Sequence, residues 1–319
     1  MPELSYLDLV SLTDGFPYPG SDEYRTTTSS LFTITSHDGL GNLGYVLPRV
    51  VEALRKEKIP ILIIDDKARQ VRISEELDSI EKRSTAINEL SLRWKTEKKF
   101  QILSGWRSEL FPVYYPAGQL YFTIERAACP LFGFVSYGAH LTAYIPSTET
   151  SPLKIWISRR AATKATYPNM LDNTVAGGIA YPYGAFDTLV KESEEEAGYE
   201  PDFIRENAVN AGAASYYYVR TSLAGGESGW LQPEIEFCYD LKVNENSPAP
   251  KPVDGEVSQF YLWDVDKVQE ELRKGNFKPN TALITIDFLI RHGIITPETE
   301  PDYLEIVSRM HRRLEHPLC

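Results

Sequence analysis

The sequence predicts an α/β (α+β) protein built in two parts, and three observations carry that expectation. Its 319 residues exceed one typical domain. Short β-rich runs alternate with stretches whose apolar residues recur at three- and four-residue steps. This alternation occurs in both halves, with no internal repeat and no low-complexity segment. A boundary is expected near Ala127, separating a smaller N-terminal α/β domain (1–127) from a larger C-terminal one (128–319).

From Tyr45 to Lys58, the spacing of Leu47, Val50, Val51 and Leu54 predicts a helix, and IPILIIDD predicts a strand ending at Asp65. Ser74 is the expected cap of a polar surface helix whose partial apolar stripe runs through Leu77, Ile80, Ile87, Leu90 and Trp94. FPVYYPAGQLYFTIER and LFGFVSYGAHLTAYI read as strands, and PSTETSP as a hairpin connection into LKIWISRR. Then follow a strand at Thr174 to Ile179, a helix at Ala185 to Ala197, and strands at Ala214 to Val219 and Glu234 to Leu241. The Pro-rich NENSPAPKPVDGE is a loop, FYLWDV a strand, and Asp266 to Lys274 and Thr281 to His292 are helices.

Composition limits the function. A formal net charge of −12 argues against a nucleic acid duplex as partner, because phosphate binding needs clustered cations. An anionic substrate would need a local basic patch or a metal. Cys129, Cys238 and Cys319 have neither disulfide-framework nor thiolate-zinc spacing, which fits a reducing compartment. The first residues carry neither a basic-then-apolar leader nor an Arg-rich one, and no run approaches a membrane span, so the expectation is a cytoplasmic protein with no membrane partner. Phosphate-loop and nucleophile-elbow motifs are absent. His140 stands on a strand without neighbouring His or Cys and is expected to be structural; His37, His292, His311 and His316 show no metal spacing.

Glu192, Glu195 and Glu196 fall at i, i+3 and i+4, on one face of the helix at Ala185 to Ala197. Like charges so placed repel, and a divalent cation would relieve them; hard carboxylate oxygens suit Mg²⁺ or Mn²⁺. The opposite face, with Phe186, Leu189, Val190, Ser193 and Ala197, is mostly apolar and can lie on a sheet. Gly184 is a tolerable N-cap, and Gly198 follows the last turn, where a left-handed residue usually ends a helix. A triplet of glutamates alone also describes a solvated acidic face; the glycines at both ends favour the metal site.

In GGIAYPYGAFDTLVKESEEEAGY these residues resemble the Nudix box, G-x5-E-x7-R-E-U-x-E-E-x-G-U, with U a bulky aliphatic. The register runs without a gap from Gly177 through Glu192, Glu195 and Glu196 to Gly198. Tyr183 stands where the box has its first Glu, Lys191 where it has Arg, and Ser193 and Tyr199 where it has aliphatic residues. The resemblance implies an α/β/α sandwich with a mixed sheet for the C-terminal domain. It also implies a metal site of Glu192, Glu195, Glu196 and the Gly177 carbonyl, with Glu195 a ligand or water-activating group. Such enzymes often use a further acid outside the box, and Glu256, in VDGEVSQF, lies in the region for it.

A wider resemblance, carried by GWRSELFPVY, IERAA, LKIWISRRAATKATYPNMLDNTVAGGIA, DGEVSQFYLWDVDKV and FKPNTALITIDFLIRHG, is to fungal and plant Nudix proteins related to the Nudix part of thiamine pyrophosphokinase fusions. It implies hydrolysis of thiamine diphosphate or its oxidised forms to the monophosphate and phosphate. Arg159, Arg160 and Lys164, with Asp172 and Asn173, are the expected substrate-binding group; a surface ion pair is the alternative for each cation. Tyr137, Trp156 and Tyr181 are candidates to stack on a heteroaromatic ring, or core residues instead. Two other readings stay open: hydrolysis of another diphosphate, such as an oxidised nucleotide or a nucleoside diphosphate sugar, and a silent binding protein, motivated by Tyr183 and Lys191. The N-terminal domain is expected to shape the substrate pocket, to form a homodimer, or both.

Overall fold

The computed structural model describes residues 3–57 and 61–319. The end of the expected helix and the start of the expected strand, residues 58–60, lie outside the described residues.

The first part contains α1 (Tyr6–Ser11), α2 (Asp22–Ser29), β1 (Phe32–Thr35), β2 (Asn42–Val46), α3 (Pro48–Glu57), β3 (Leu62–Asp65), β4 (Gln70–Ile73), α4 (Ile80–Thr96), β5 (Leu110–Tyr114), β6 (Leu120–Glu125) and the short α5 (Cys129–Phe132). One sheet has the order β2-β1-β4-β3, with β1 and β4 parallel; β5 and β6 form a separate hairpin. Two expectations need correction. The helix expected from Tyr45 begins at Pro48, because Tyr45 and Val46 are paired with Thr33 and Phe32 as strand. Proline, lacking an N–H, suits a first helical position. The cap of α4 is Ser79, whose hydroxyl accepts from the Lys82 N–H at 3.2 Å; Ser74 caps a turn and accepts from the Glu76 N–H at 3.3 Å. The apolar stripe of α4 then buries Ile87, Leu90 and Trp94 in a core with Phe100, Phe122 and Phe132.

The second part contains β7 (Ser136–Ile145), β8 (Lys154–Arg160), β9 (Leu171–Asp172), β10 (Val175–Gly178), α6 (Ala185–Ala197), α7 (Pro201–Asn207), β11 (Ala208–Val219), β12 (Leu231–Lys242), β13 (Val257–Asp264), α8 (Val265–Arg273), α9 (Pro279–Arg291) and α10 (Tyr303–Met310). Its sheet has the order β11-β12-β7-β8-β13, with β10 added to β7 and β9 to β8; only β12 and β7 are parallel within it. Alternation along the strands divides the core. Ala139, Leu141, Val175 and Ile235 face Leu189 and Val190 of α6. Ile155, Ile157, Tyr216 and Cys238 face Leu283, Ile286 and Phe288 of α9. Helices thus cover both faces of a mixed sheet, the α/β/α sandwich expected from the resemblance.

The two ends of the chain cross over. Tyr6, Leu9 and Val10 of α1 pack into the α9 side of the second core. Near the other end, Glu315 accepts from the Tyr24 hydroxyl at 2.6 Å, and the Leu318 carbonyl accepts from the Gly118 N–H at 2.7 Å. Among the described residues no helix is long and apolar enough to cross a membrane.

Candidate metal centre and adjoining cavity

Helix α6 is bounded as its glycines predict. Gly184 is the N-cap; Gly198 has φ +66°, and its N–H reaches the Glu194 carbonyl at 3.1 Å while that of Tyr199 reaches Ser193 at 3.1 Å. At the two departures, Ser193 and Tyr199, both side chains sit in the core, Tyr199 against Phe203, and neither hydroxyl has a partner among the described residues.

A strand glycine brings sheet and helix into close approach. A Cβ at Gly177 would lie 2.3 Å from Cγ of Glu192, so only glycine lets that side chain cross over β10. Burial pushes the Glu192 carboxyl up; Lys191, at 3.6 Å, opposes this, and the charges of Glu195 and Glu256 add to it. Glu196 is buried, and one of its oxygens accepts from the Ala176 N–H at 3.2 Å, on the edge of β10 away from β7. Burial first, then the charges of Asp172 and Glu192, push its carboxyl well above the ordinary value. Glu195 is set differently: it is exposed and ion-paired with Lys191, which bridges it to Glu192.

Glu196 has no ion-pair partner within 4 Å among the described residues, and no three His, Cys, Asp or Glu side chains there are already drawn into a metal cluster. Two half-buried to buried carboxylates without sufficient cationic compensation, next to an exposed-edge backbone, are nonetheless a donor set suited to a hard divalent ion.

The residues expected to bind substrate divide. Lys164 is ion-paired with Glu256, and Arg107 stands 3.8 Å from the same carboxylate. Lys164, then Arg107 and Arg160, hold Glu256 below the usual range against the effect of burial. Arg160 is engaged inward: it donates to Asp172 at 2.8 Å and to the carbonyls of Tyr167 and Thr166 at 3.1 and 3.0 Å. Burial would raise the Asp172 carboxyl, but Lys278 and Arg160 keep it low. Arg159, the next residue along β8, turns away to the Tyr261 hydroxyl at 2.9 Å and the Asn169 carbonyl at 2.7 Å. Asn173 is committed to His140 at 2.8 Å and Thr285 at 3.1 Å. The structure therefore brings together Glu192, Glu196, Asp172, Arg160, Lys164 and Glu256, ties Glu195 to Glu192 through Lys191, and leaves Arg159 and Asn173 outside that group.

On the α9 side of the same sheet lies a cavity of about 390 Å³. One wall is β10 itself, at Ala176 to Gly178; the N-terminal part supplies Arg107, Phe111 and Arg126. Gly178 leaves room for Phe111, whose ring carbon would be 2.7 Å from an added Cβ. On the floor, Gln232, Glu234 and Glu236 follow one another at every second position of β12. His140, which also lines the cavity, stands 3.3 Å from Glu236 and 2.8 Å from Asn173. Burial and Glu236 raise the Glu234 carboxyl to about 7. Lys278, whose ammonium is pushed down by burial, lines the same space. Of the expected stacking residues, Tyr137 lines the cavity, Trp156 is partly buried in the α6-side core, and Tyr181 is half exposed. Glu234, Glu236 and Lys278 were not singled out from the sequence. The available signal was the Gln-x-Glu-x-Glu alternation, which in isolation reads as the solvent face of a strand.

Residues 24–136 match a family described as a domain of unknown function, DUF4743. Over 321 residues the chain is 36% identical to the uncharacterized protein YJR142W of Saccharomyces cerevisiae, spanning 98% of this chain and 92% of that protein. It is 33% identical over 299 residues to Nudix hydrolase 24, chloroplastic, of Arabidopsis thaliana, spanning 93% of this chain and 69% of the relative. With Nudix hydrolase 20, chloroplastic, of the same plant, it is 40% identical over 215 residues, 66% of this chain and about half (54%) of the relative.

Proposed function

The chain belongs to the Nudix hydrolase family, hydrolases of diphosphate bonds, and from that premise we propose that it is a Mg²⁺- or Mn²⁺-dependent diphosphatase of thiamine diphosphate and its oxidised forms. The observation that carries the metal site is Glu196, buried beside Glu192 and Asp172 without a cation of its own. Glu192 and Glu196 would hold the ion, with Glu195 completing the set if Lys191 releases it; the Gly177 carbonyl, expected as a ligand, is turned instead towards β7, 3.3 Å from the Cβ position of Gly138. When bound, the ion lowers the pKa of water and offsets charge on the diphosphate.

The remaining roles belong to the chain's own side chains. A water oxygen bonds to phosphorus as the anhydride P–O bond breaks, giving the monophosphate and inorganic phosphate. Glu256, kept ionised by Lys164 and Arg107, is the acceptor for the water proton. Lys164 and Arg107 are the cations placed to meet the diphosphate, and Arg160 positions Asp172. The thiamine assignment is supported by the family resemblance across both parts of the chain, and by the aromatic residues lining a cavity beside the glutamates. A division just after α5, later than the expected residue 127 because Cys129, Leu131 and Phe132 lie in the first core, a cytoplasmic location and a homodimer belong to this proposal; fractionation and light scattering test the last two.

The deciding experiment is phosphate release at saturating Mg²⁺ from thiamine diphosphate, its oxidised forms, an oxidised nucleoside diphosphate and a nucleoside diphosphate sugar. Highest kcat/KM on the thiamine compounds supports the assignment. Preference for a nucleotide moves the substrate but keeps the chemistry, and no release from any compound makes the chain a binding protein.

A further inference from the structure

The cavity and the carboxylate centre share β10, and the first part of the chain reaches that strand through Arg107 and Arg126. These residues flank the open end of the β5–β6 hairpin, where Leu110 pairs with Glu125. Backbone contacts tie the two stretches together: the Arg107 N–H donates to the buried Glu125 carboxylate at 3.0 Å, and the Arg126 N–H to the Glu109 carbonyl at 2.9 Å. Both arginines thus stand on one hydrogen-bonded platform at the wall of the cavity.

Gly178 shows how near Arg126 comes to β10. A Cβ at that position would lie 3.3 Å from Cζ and 3.4 Å from Nη1 of Arg126, so a larger residue would press on the guanidinium as well as on Phe111. Two residues back along the strand is Ala176, whose N–H donates to Glu196. That is roughly 7 Å of strand, a span that the two phosphates of a diphosphate can bridge. Arg107 links the two spaces: it lines the cavity and stands 3.8 Å from Glu256, whose charge acts on Glu192. The donors of Arg126 are only partly used. Nη1 donates to Glu109 at 3.0 Å, in a pair half open to solvent, while Nε and Nη2 have no protein partner among the described residues. Exposed pairs of this kind contribute little. An arginine fork matches two oxygens of one phosphate, a demand met neither by the single contact with Glu109 nor by the Phe111 ring, 5.3 Å from Cζ. The other cations on the cavity are placed differently: Arg220 donates to the Ala224 and Gly225 carbonyls at 3.2 and 2.9 Å, and Lys278 is set among Asp172, Glu234 and Glu236.

We propose that Arg126 is a substrate-binding residue supplied by the first part of the chain, and that its guanidinium holds one phosphate of the diphosphate across Gly178. The proposal rests on the diphosphatase reading for the identity of the anion; the placement comes from β10 itself. Neighbouring strand residues face opposite sides, so Arg126 at Gly178 and Glu192 at Gly177 lie on the two faces of β10. Arg126 therefore acts on binding and leaves the chemical step to the carboxylates.

The test compares wild-type protein with Arg126→Ala, Arg126→Lys and Glu109→Gln, on whichever diphosphate the wild type hydrolyses fastest at saturating Mg²⁺. Arg126→Ala should raise KM about ten- to hundredfold, the scale of a lost hydrogen-bond contact to a charged group, with kcat changed less than about threefold. Arg126→Lys should recover part of that loss, since it keeps the charge without the fork. Glu109→Gln removes a competing acceptor and should leave KM at the wild-type value or below; a rise there would make the pair a structural strut and overturn the proposal. Calorimetry with imidodiphosphate and Mg²⁺ reads the contact without turnover, because the P–N–P link resists hydrolysis. Wild-type binding that Arg126→Ala weakens about tenfold or more, with no diphosphate hydrolysed, upholds the contact while the diphosphatase reading falls. Equal binding by the two proteins, or none by the wild type, overturns the contact even where hydrolysis proceeds.

Discussion

Helices α6 and α8 end in nearly the same way. Each carries adjacent glutamates in its last turns, Glu195-Glu196 in one and Glu270-Glu271 in the other, and each is followed by a glycine with positive φ, Gly198 at +66° and Gly275 at +69°. Their environments differ in where the lysines fall. In α8, Lys267 lies four residues before Glu271 and Lys274 three after it, at 2.8 and 3.2 Å, and Asn276 donates at 2.6 Å. Although burial opposes it, these partners bring the Glu271 carboxyl down to about 2. In α6, the positions three and four before and after Glu196 hold Ser193, Glu192, Tyr199 and Glu200, none of them a cation. Lys191 reaches Glu192 and Glu195 but not Glu196. Two similar strings thus give one self-neutralised surface and one carboxylate in need of an ion, and the difference is helical spacing plus the sheet against which α6 is laid.

The sharpest way to break this contrast is to neutralise each glutamate in turn. Glu196→Gln should lower kcat for diphosphate hydrolysis by about 10²–10³-fold, the scale of losing one preorganised charge contact at a reacting group. Its melting temperature in metal-free buffer should not fall, since the change removes a buried charge without a partner. Retained Mg²⁺-dependent turnover would show that the ion is held elsewhere.

Gly177→Ala attacks the same centre from the sheet. The new methyl would fall 2.3 Å from Cγ and 2.5 Å from Cδ of Glu192, so the carboxylate must move by about an ångström or more. Displacement on that scale costs about 10²-fold in rate when the group is essential. Overpacking should also cost about 1–3 kcal/mol in denaturant unfolding. A loss of stability with unchanged kcat would separate Glu192 from the chemistry.

At α8 the expected effect is on stability alone. Glu271→Gln removes a buried, ion-paired and hydrogen-bonded carboxylate, so unfolding free energy should fall by about 1–3 kcal/mol at pH 7, with turnover unchanged within error. The sign with pH follows from the lowered carboxyl. Folded Glu271 titrates near 2 against an ordinary 4.5, so its contribution is complete above pH 4.5 and disappears as pH falls towards 2. Wild type and variant should therefore converge in stability across that window. Curves that stay parallel would show that Glu271 gains nothing from its lysines.

How far these features could be read beforehand depended on whether their cause was local. The bounds of α6 and the left-handed Gly198 follow from residue type and spacing, and the structure places them there, whereas the close approach at Gly177 depends on how α6 is laid on β10. The start of α3 was set by a partner: Tyr45 and Val46 fit a helical stripe as well as a strand until β1 pairs with them. The fate of the cations was decided by register. Arg159 and Arg160 are adjacent in sequence but point to opposite sides of β8, one to Tyr261 and the other to Asp172. The cavity floor was least visible, because Gln232, Glu234 and Glu236 form a polar alternation that looks solvated until Phe111 and Arg126 from the first part cover it.

Tyr183 gives the smallest expected effect and bears on the contrast most directly, since it stands where the box pattern has a glutamate. Its side chain is half exposed in the turn before α6, and its N–H is spent on the Ala180 carbonyl at 2.9 Å. From the first residue of α6 to Glu192 is nearly two helical turns, roughly 10 Å of rise, so an acid at position 183 begins at the far end of the helix from the carboxylates on β10. Tyr183→Glu should therefore change kcat/KM by less than about twofold and stability by no more than about 0.5 kcal/mol, as for other exposed substitutions. Both are read from steady-state kinetics at saturating Mg²⁺ and from thermal unfolding. A tenfold gain in kcat would mean that the missing acid completes the centre, and the buried pair Glu192 and Glu196 would then be only part of what distinguishes α6 from α8.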